Sequence, residues 1–307
     1  MSVRARTALA TLALGLACAG CGLGAGRAAG GAGVTVSTGF GSRPVRVVTR
    51  TRVPGSETVM RLLERSFPVS TSYGGGFVDA IDGLTRSGPH SDWFFYVNGV
   101  QGAQGAATTA VHRGDHIWWD LHDWTATDSV PAVVGAYPEP FTDGIAGKHY
   151  PTTLQCGPDV TAACATLTTA LGAAHLPVAD QGLGQGSGSD TLGIVVGTWR
   201  DVVPQVAAQL LAHGPGASGV YARFSDGGRS LQLLTPAGTV GRTLGPGAGL
   251  VAATADPGQT PTWMILGTDP AGVAAAARAV TPQALHDHFA LAVDGATRIP
   301  LPLHGTE

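Results

Sequence analysis

Apolar and polar positions change period several times along the chain, and each change predicts an element. Residues 45–53 alternate and are rich in β-branched side chains, so they predict a strand, closed by the turn pair Pro54-Gly55. Ser56 is placed to cap a helix. Val59, Leu62, Leu63 and Phe67 then recur at helical spacing, which predicts a helix running through Arg65 until Pro68 stops it. Short strands are expected at 69–73, 77–81, 93–98 and 116–121. Together these define a small α+β domain over 34–126, with one helix on a mixed sheet. Residues 127–149 carry Pro131, Pro138 and Pro140 and little periodicity, and read as a linker or an edge extension of the first sheet. The remainder, 150–307, reads as an α/β domain of repeated strand–helix units. Residues 192–197 form one strand, followed by a helix through Leu211; residues 263–267 form another, followed by a helix over 271–280. A third, weaker copy joins Thr153-Leu154-Gln155 to a helix over 160–171, and strand-like runs at 219–224, 230–235 and 249–254 lie between the copies.

The first residues follow a different logic. Arg4 and Arg6 precede an uncharged, Leu- and Ala-rich run over 8–17, and the segment ends at Ala19-Gly20-Cys21. A basic start, a short apolar run and small residues make a secretory signal; the run is about ten residues long, against the roughly 20 needed to span a bilayer. Leu16, Ala19 and Gly20 before Cys21 resemble a bacterial lipobox. That resemblance implies cleavage after Gly20, acylation of Cys21 and lipid anchoring on the outer face of the cytoplasmic membrane, with Cys18 as the alternative acylated residue. The Gly/Ala-rich stretch 22–33 reads as a flexible tether. An exported chain meets oxidising conditions, so Cys156 and Cys164, eight positions apart, are expected to form a disulfide. Charge refines this picture only by exclusion: net −3, with Lys148 the single lysine, is no footprint for nucleic acid or polybasic membrane binding.

Four segments, in order, resemble the small C-terminal domain of transcobalamin and intrinsic factor in its stand-alone bacterial form. They are the helix opening at 57–63, the glycine-then-strand segment 75–84, the aromatic strand Asp92-Trp93-Phe94-Phe95-Tyr96-Val97-Asn98-Gly99, and the closing Gly114-Asp115-His116-Ile117-Trp118-Trp119-Asp120. The resemblance implies a β-grasp-like fold and a link to cobalamin. The second domain resembles the C-terminal region of actinobacterial lipoproteins that carry this first domain, a resemblance that implies no activity.

Strand alternation puts His116, Trp118, Asp120, His122 and Trp124 on one face and Ile117, Trp119 and Leu121 on the other. The second set is an ordinary core face. The first, joined by Tyr96 if the two aromatic strands pair, mixes rings with polar groups and suits either a planar ligand or burial against the second domain. Metal binding fits poorly: His116 and His122 would stand about 20 Å apart on an extended strand. Residues 182–188 are glycine-rich without the Lys-Ser/Thr of a P-loop, and Gly197-Thr198 and Gly267-Thr268 sit at strand–helix junctions where anions can bind. The expectation is a non-catalytic, membrane-anchored ligand-binding lipoprotein. Tyr96, Trp118, Asp120, His122 and Trp124 would hold cobalamin or another corrinoid, handed on to a transporter, with no tightly held cofactor. A surface module for protein or cell-wall glycan, and a hydrolase with its site in the second domain, are the rival expectations.

Overall fold

The computed structural model describes residues 31–50, 52–185 and 189–304. The signal segment, Cys18, Cys21 and most of the expected tether lie outside the described residues.

The chain enters through a strand that alternation had not flagged, β1 (Ala32–Thr38), so the expected tether ends inside the fold. Strand β2 (Arg43–Arg50) pairs antiparallel with it as an exposed edge. Helix α1 (Val59–Ser66) starts two residues later than Ser56 would allow. Thr58 is its cap, accepting the Arg61 N–H, and Val59, Met60, Leu62 and Leu63 are buried along one stripe. Strands β3 (Val69–Ser72), β4 (Phe77–Ile81) and β5 (Leu84–Thr85) make a small separate sheet. The aromatic strand β6 (Ser91–Val97) turns at Asn98-Gly99, both at positive φ (54° and 76°), into β7 (Val100–Gln101). β8 (His116–Asp123) closes the unit. The main sheet has the order β2-β1-β8-β6-β7, with β1 and β8 parallel at its centre and the other pairs antiparallel. One helix over a sheet whose first and last strands lie side by side is the β-grasp arrangement expected. Val34, Val36, Ile117, Trp119 and Leu121 face α1 and form its core with Val59, Leu62 and Leu63.

The proline-bearing segment is not a free linker. Val100 and Ala132 bridge, extending the β7 edge, while Val130, Val133, Val134, Tyr137 and Phe141 are buried. Beyond it runs a seven-stranded sheet. β9 (Thr152–Cys156) leads to α2 (Thr161–Ala173) and β10 (Val178–Gly182). β11 (Leu192–Thr198) leads to α3 (Trp199–Val202) and α4 (Val206–Ala212), two short helices where one was expected, because Pro204 lies between them. After α5 (Pro215–Ser218), β12 (Ala222–Ser225), β13 (Ser230–Leu234) and β14 (Val240–Leu244) form their own antiparallel sheet. β15 (Ala248–Thr254), β16 (Thr262–Gly267), α6 (Pro270–Arg278), α7 (Pro282–Leu285), β17 (Ala290–Asp294) and β18 (Thr297–Leu301) complete the chain. The order is β10-β9-β11-β16-β15-β17-β18, parallel as far as β16 and antiparallel beyond. The three strand–helix copies read from the sequence are β9–α2, β11–α3–α4 and β16–α6. Leu154, Ile194, Val196 and Ile265 point to the α2/α6 side of the sheet; Val195, Met264 and Leu266 point to the side of α4 and the three-stranded sheet. The whole is an α+β molecule.

Candidate functional site

The two aromatic strands pair in the register that alternation demands, Phe95 opposite Trp119 and Tyr96 opposite Trp118. What differs is what lies over the outer face. Tyr96, Trp118, Asp120 and His122 are all buried, the first three completely. The second domain covers them, with Phe289 as the plug. Its ring stands edge-on to Tyr96, Trp118, His122 and Phe40, with centroids 5.2 to 5.4 Å apart. An aromatic strip left in water would be costly, and of the two coverings open from the sequence the structure takes burial. Tyr96, Trp118, Asp120 and His122 are therefore seam residues here, not an open platform for a planar ligand.

Asp120, His116 and His122 on that face are engaged within the seam, while the Tyr96 hydroxyl is buried without a hydrogen-bond partner among the described residues. Asp120 accepts the backbone N–H groups of Phe40 (2.8 Å) and Gly41 (2.9 Å) and the Ser37 hydroxyl, and Ser37 in turn accepts the Trp118 indole N–H at 2.7 Å. His122 Nδ1 lies 2.8 Å from Asp120 Oδ1, and its ring is stacked between Phe40 and Phe94. His116 sits 2.9 Å from the Thr35 hydroxyl; burial, aided by the charge of His286, pushes its pKa down to about 4, so it is neutral at neutral pH. Trp124 stands apart, half-buried at the strand end, with its indole N–H on Asp92 at 3.1 Å and His90 edge-on. The fit leaves no slack: a Cβ on Gly41 would sit 1.9 Å from the Asp287 carbonyl, and one on Gly135 would sit 2.7 Å from His288 N.

Other sequence candidates resolve similarly. Cys156 and Cys164 are disulfide-bonded, with Cα atoms 6.3 Å apart, tying the end of β9 to the first turns of α2. The junction Gly197-Thr198 is occupied by Asp201, which accepts the Thr198 hydroxyl at 2.7 Å. At Gly267-Thr268, Asp269 accepts the N–H groups of Gly272 (2.9 Å) and Gly247 (2.7 Å). The chain's own carboxylates fill the places an anion would take. No group of three or more His, Cys, Asp or Glu is arranged for a metal ion among the described residues.

A cleft that sequence reading did not single out opens in the second domain, with a volume of about 210 Å³. Its floor is the α4 side of the large sheet, where Gln155, Val195, Thr254 and Thr262 lie on adjacent strands; Gln155 is opposite Val195, and Thr254 is opposite Thr262. One wall is α4, through Val206, Ala207 and Leu210, with Gln205 just before it. Asp256, Gln259 and Thr260 in the β15–β16 connection make the other wall; Gly258 there has φ of 77° after Pro257, as a tight Pro-Gly turn requires. Gln155 is 1% exposed, yet its side-chain oxygen has no hydrogen-bond partner among the described residues. Gln181, directly opposite on β10, carries a second such oxygen. A buried acceptor without a partner costs roughly 1–3 kcal/mol, so the Gln155 oxygen is a costly group on the cleft floor unless something meets it. The available signal was Gln155 itself, a long polar residue in a strand flanked by strands on both sides, where apolar side chains are the rule.

Against known families, residues 56–123 match the model of a domain of unknown function (DUF4430), a transcobalamin-like domain in bacteria. The match covers α1 through β8 and stops before the second domain. No curated protein matches the chain. No described helix is long and apolar enough to cross a membrane.

Proposed function

We propose that this chain is a membrane-anchored, extracytoplasmic ligand-binding lipoprotein, held by an acylated Cys21, whose ligand enters the second-domain cleft. The observation that carries the binding reading is the buried, unpartnered side-chain oxygen of Gln155 on the cleft floor. A concave site with a few placed polar groups on a mainly pre-formed scaffold is the usual form of a small-ligand site. The transcobalamin-like domain then acts as a docked platform between tether and binding domain, its aromatic face committed to the seam. Corrinoid binding loses the support of an open aromatic strip, and a cleft of about 210 Å³ is far smaller than a corrin macrocycle. The lining supplies hydrogen-bonding groups and one carboxylate, Asp256, where glycoside hydrolysis ordinarily uses a pair; binding therefore suits it better than hydrolysis.

The test is a thermal-shift screen of the full chain against amino acids, inorganic phosphate, neutral sugars and cobalamin. It is repeated on Val206→Trp, which narrows the mouth from a position 62% exposed without touching the core. A shift present in wild type and lost in Val206→Trp is expected. Cobalamin stabilising both proteins equally, or no compound shifting either, would overturn the reading.

A further inference from the structure

Resting on the cleft as the binding site, we infer that its ligand is a neutral, single-ring, hydroxyl-rich molecule: a free monosaccharide or the terminal unit of a glycan. Charge gives the first reason. No Lys, Arg or His lines the cleft, and the one ionisable lining group is the Asp256 carboxylate. An anionic ligand would meet like charge and no counter-charge.

Hydrogen-bonding chemistry gives the second. Gln155, Gln205 and Gln259 carry both donors and an acceptor, and Thr254, Thr260 and Thr262 add three hydroxyls to the lining. Two of those hydroxyls have their own proton directed away, Thr254 to the Ser218 carbonyl at 2.8 Å and Thr260 to the Thr191 carbonyl at 2.6 Å, so towards a ligand they accept. Groups that donate and accept at neighbouring points complement a sugar hydroxyl, which is itself both donor and acceptor.

The third reason is the division of the surface. Val206, Ala207 and Leu210 of α4 form an apolar wall beside the polar floor groups Gln155, Thr254 and Thr262, with Val195 as the apolar member of that floor. A sugar ring has the same division, with C–H groups on its faces and hydroxyls at its rim. Shape agrees, since about 210 Å³ accommodates one ring and excludes a large planar macrocycle. Gln155 is the residue the inference turns on, because its oxygen is buried and without a partner on the cleft floor.

The experiment is isothermal titration of the full chain, in a sugar-free detergent, with glucose, galactose, mannose and N-acetylglucosamine and with their disaccharides. Inorganic phosphate and glutamate serve as charged probes. At least one neutral sugar should bind, and Gln155→Leu, similar in size, should weaken it at least tenfold while melting no lower than wild type. Val206→Trp should abolish the same signal. Binding of disaccharides but not free sugars identifies a glycan end as the source. If phosphate or glutamate binds, is lost in Val206→Trp, and no sugar does, the cleft stands as a site and the saccharide class is overturned. Sugar binding unchanged in both variants would place the sugar elsewhere and overturn the inference.

Discussion

Asp120 shows how one side chain decides what a whole face can do. With two backbone donors, a serine hydroxyl and His122 around its carboxylate, it has no valence left for a ligand, and Trp118 is tied to the same serine. The types of these residues were legible in the sequence, and so were their shared face and the pairing of Tyr96 with Trp118. Their partners were not, because Ser37, Phe40 and Gly41 lie about 80 positions away, on a strand and turn at the start of the first domain where the sequence shows no clear period. Phe289 gives the clearest test at this scale. Its ring touches four aromatic neighbours across the seam, and Phe289→Ala should cost about 3–5 kcal/mol in chemical denaturation. The same variant should make tryptophan emission more accessible to a soluble quencher, because Trp118 loses its cover. An unchanged stability would mean that Phe289 does not hold the seam. Gly41→Ala should also destabilise, by roughly 2 kcal/mol or more, since the site has φ of 77° and an added Cβ would fall 1.9 Å from the Asp287 carbonyl; a neutral effect on the melting curve would contradict that close approach.

Among the elements, amphipathic α1 and the alternating strands β6 and β8 declared themselves, because a clear period needs only local sequence. β1 and the segment 127–149 did not. β1 lies between β2 and β8 and is buried on both faces for most of its length, which blurs the alternation, and the proline-bearing segment owes its order to tertiary contacts rather than periodicity. Within that segment, burial pushes the Glu139 pKa up to about 7, against the lowering effect of hydrogen bonds from Thr142 and the Asp143 N–H. Its unperturbed value is 4.5, so between about pH 4.5 and 7 the folded chain keeps a proton there that the unfolded chain has lost. Folding stability from this group is therefore present in full below pH 4.5 and falls as pH rises to 7. Glu139→Gln should flatten that decline, measured as the difference in melting temperature between variant and wild type across the interval. A parallel pH dependence in both proteins would contradict the assignment. The disulfide belongs to this scale too. Closing so short a loop should contribute roughly 2–3 kcal/mol, and both cysteines should resist thiol labelling in denaturant until a reductant is added.

For the molecule as a whole, the sequence separated two units and named the likeness of the first, and the family match over 56–123 agrees with that likeness. It left two coverings for the aromatic face, because which surfaces meet is a property of three-dimensional complementarity and not of spacing. It missed the cleft for a related reason: Gln155, Thr254, Thr262 and Gln205 come from four separate segments that only the β9-β11-β16-β15 order brings together. Anchoring is testable at this level by Cys21→Ala, which should release the protein from the membrane fraction to the medium or block its processing; unchanged attachment with normal processing would point to Cys18.

In the proposed function, ligand binding belongs to the second-domain cleft while the aromatic face is closed within the molecule. Hydrogen–deuterium exchange on the full chain, alone and with saturating neutral sugar or cobalamin, tests both halves at once. Sugar should slow exchange in residues 205–212 and 254–262, and neither compound should alter exchange in residues 91–97 and 116–123, which should be slow throughout. Protection by cobalamin confined to the aromatic strands, with the cleft unaffected by any sugar, would contradict it.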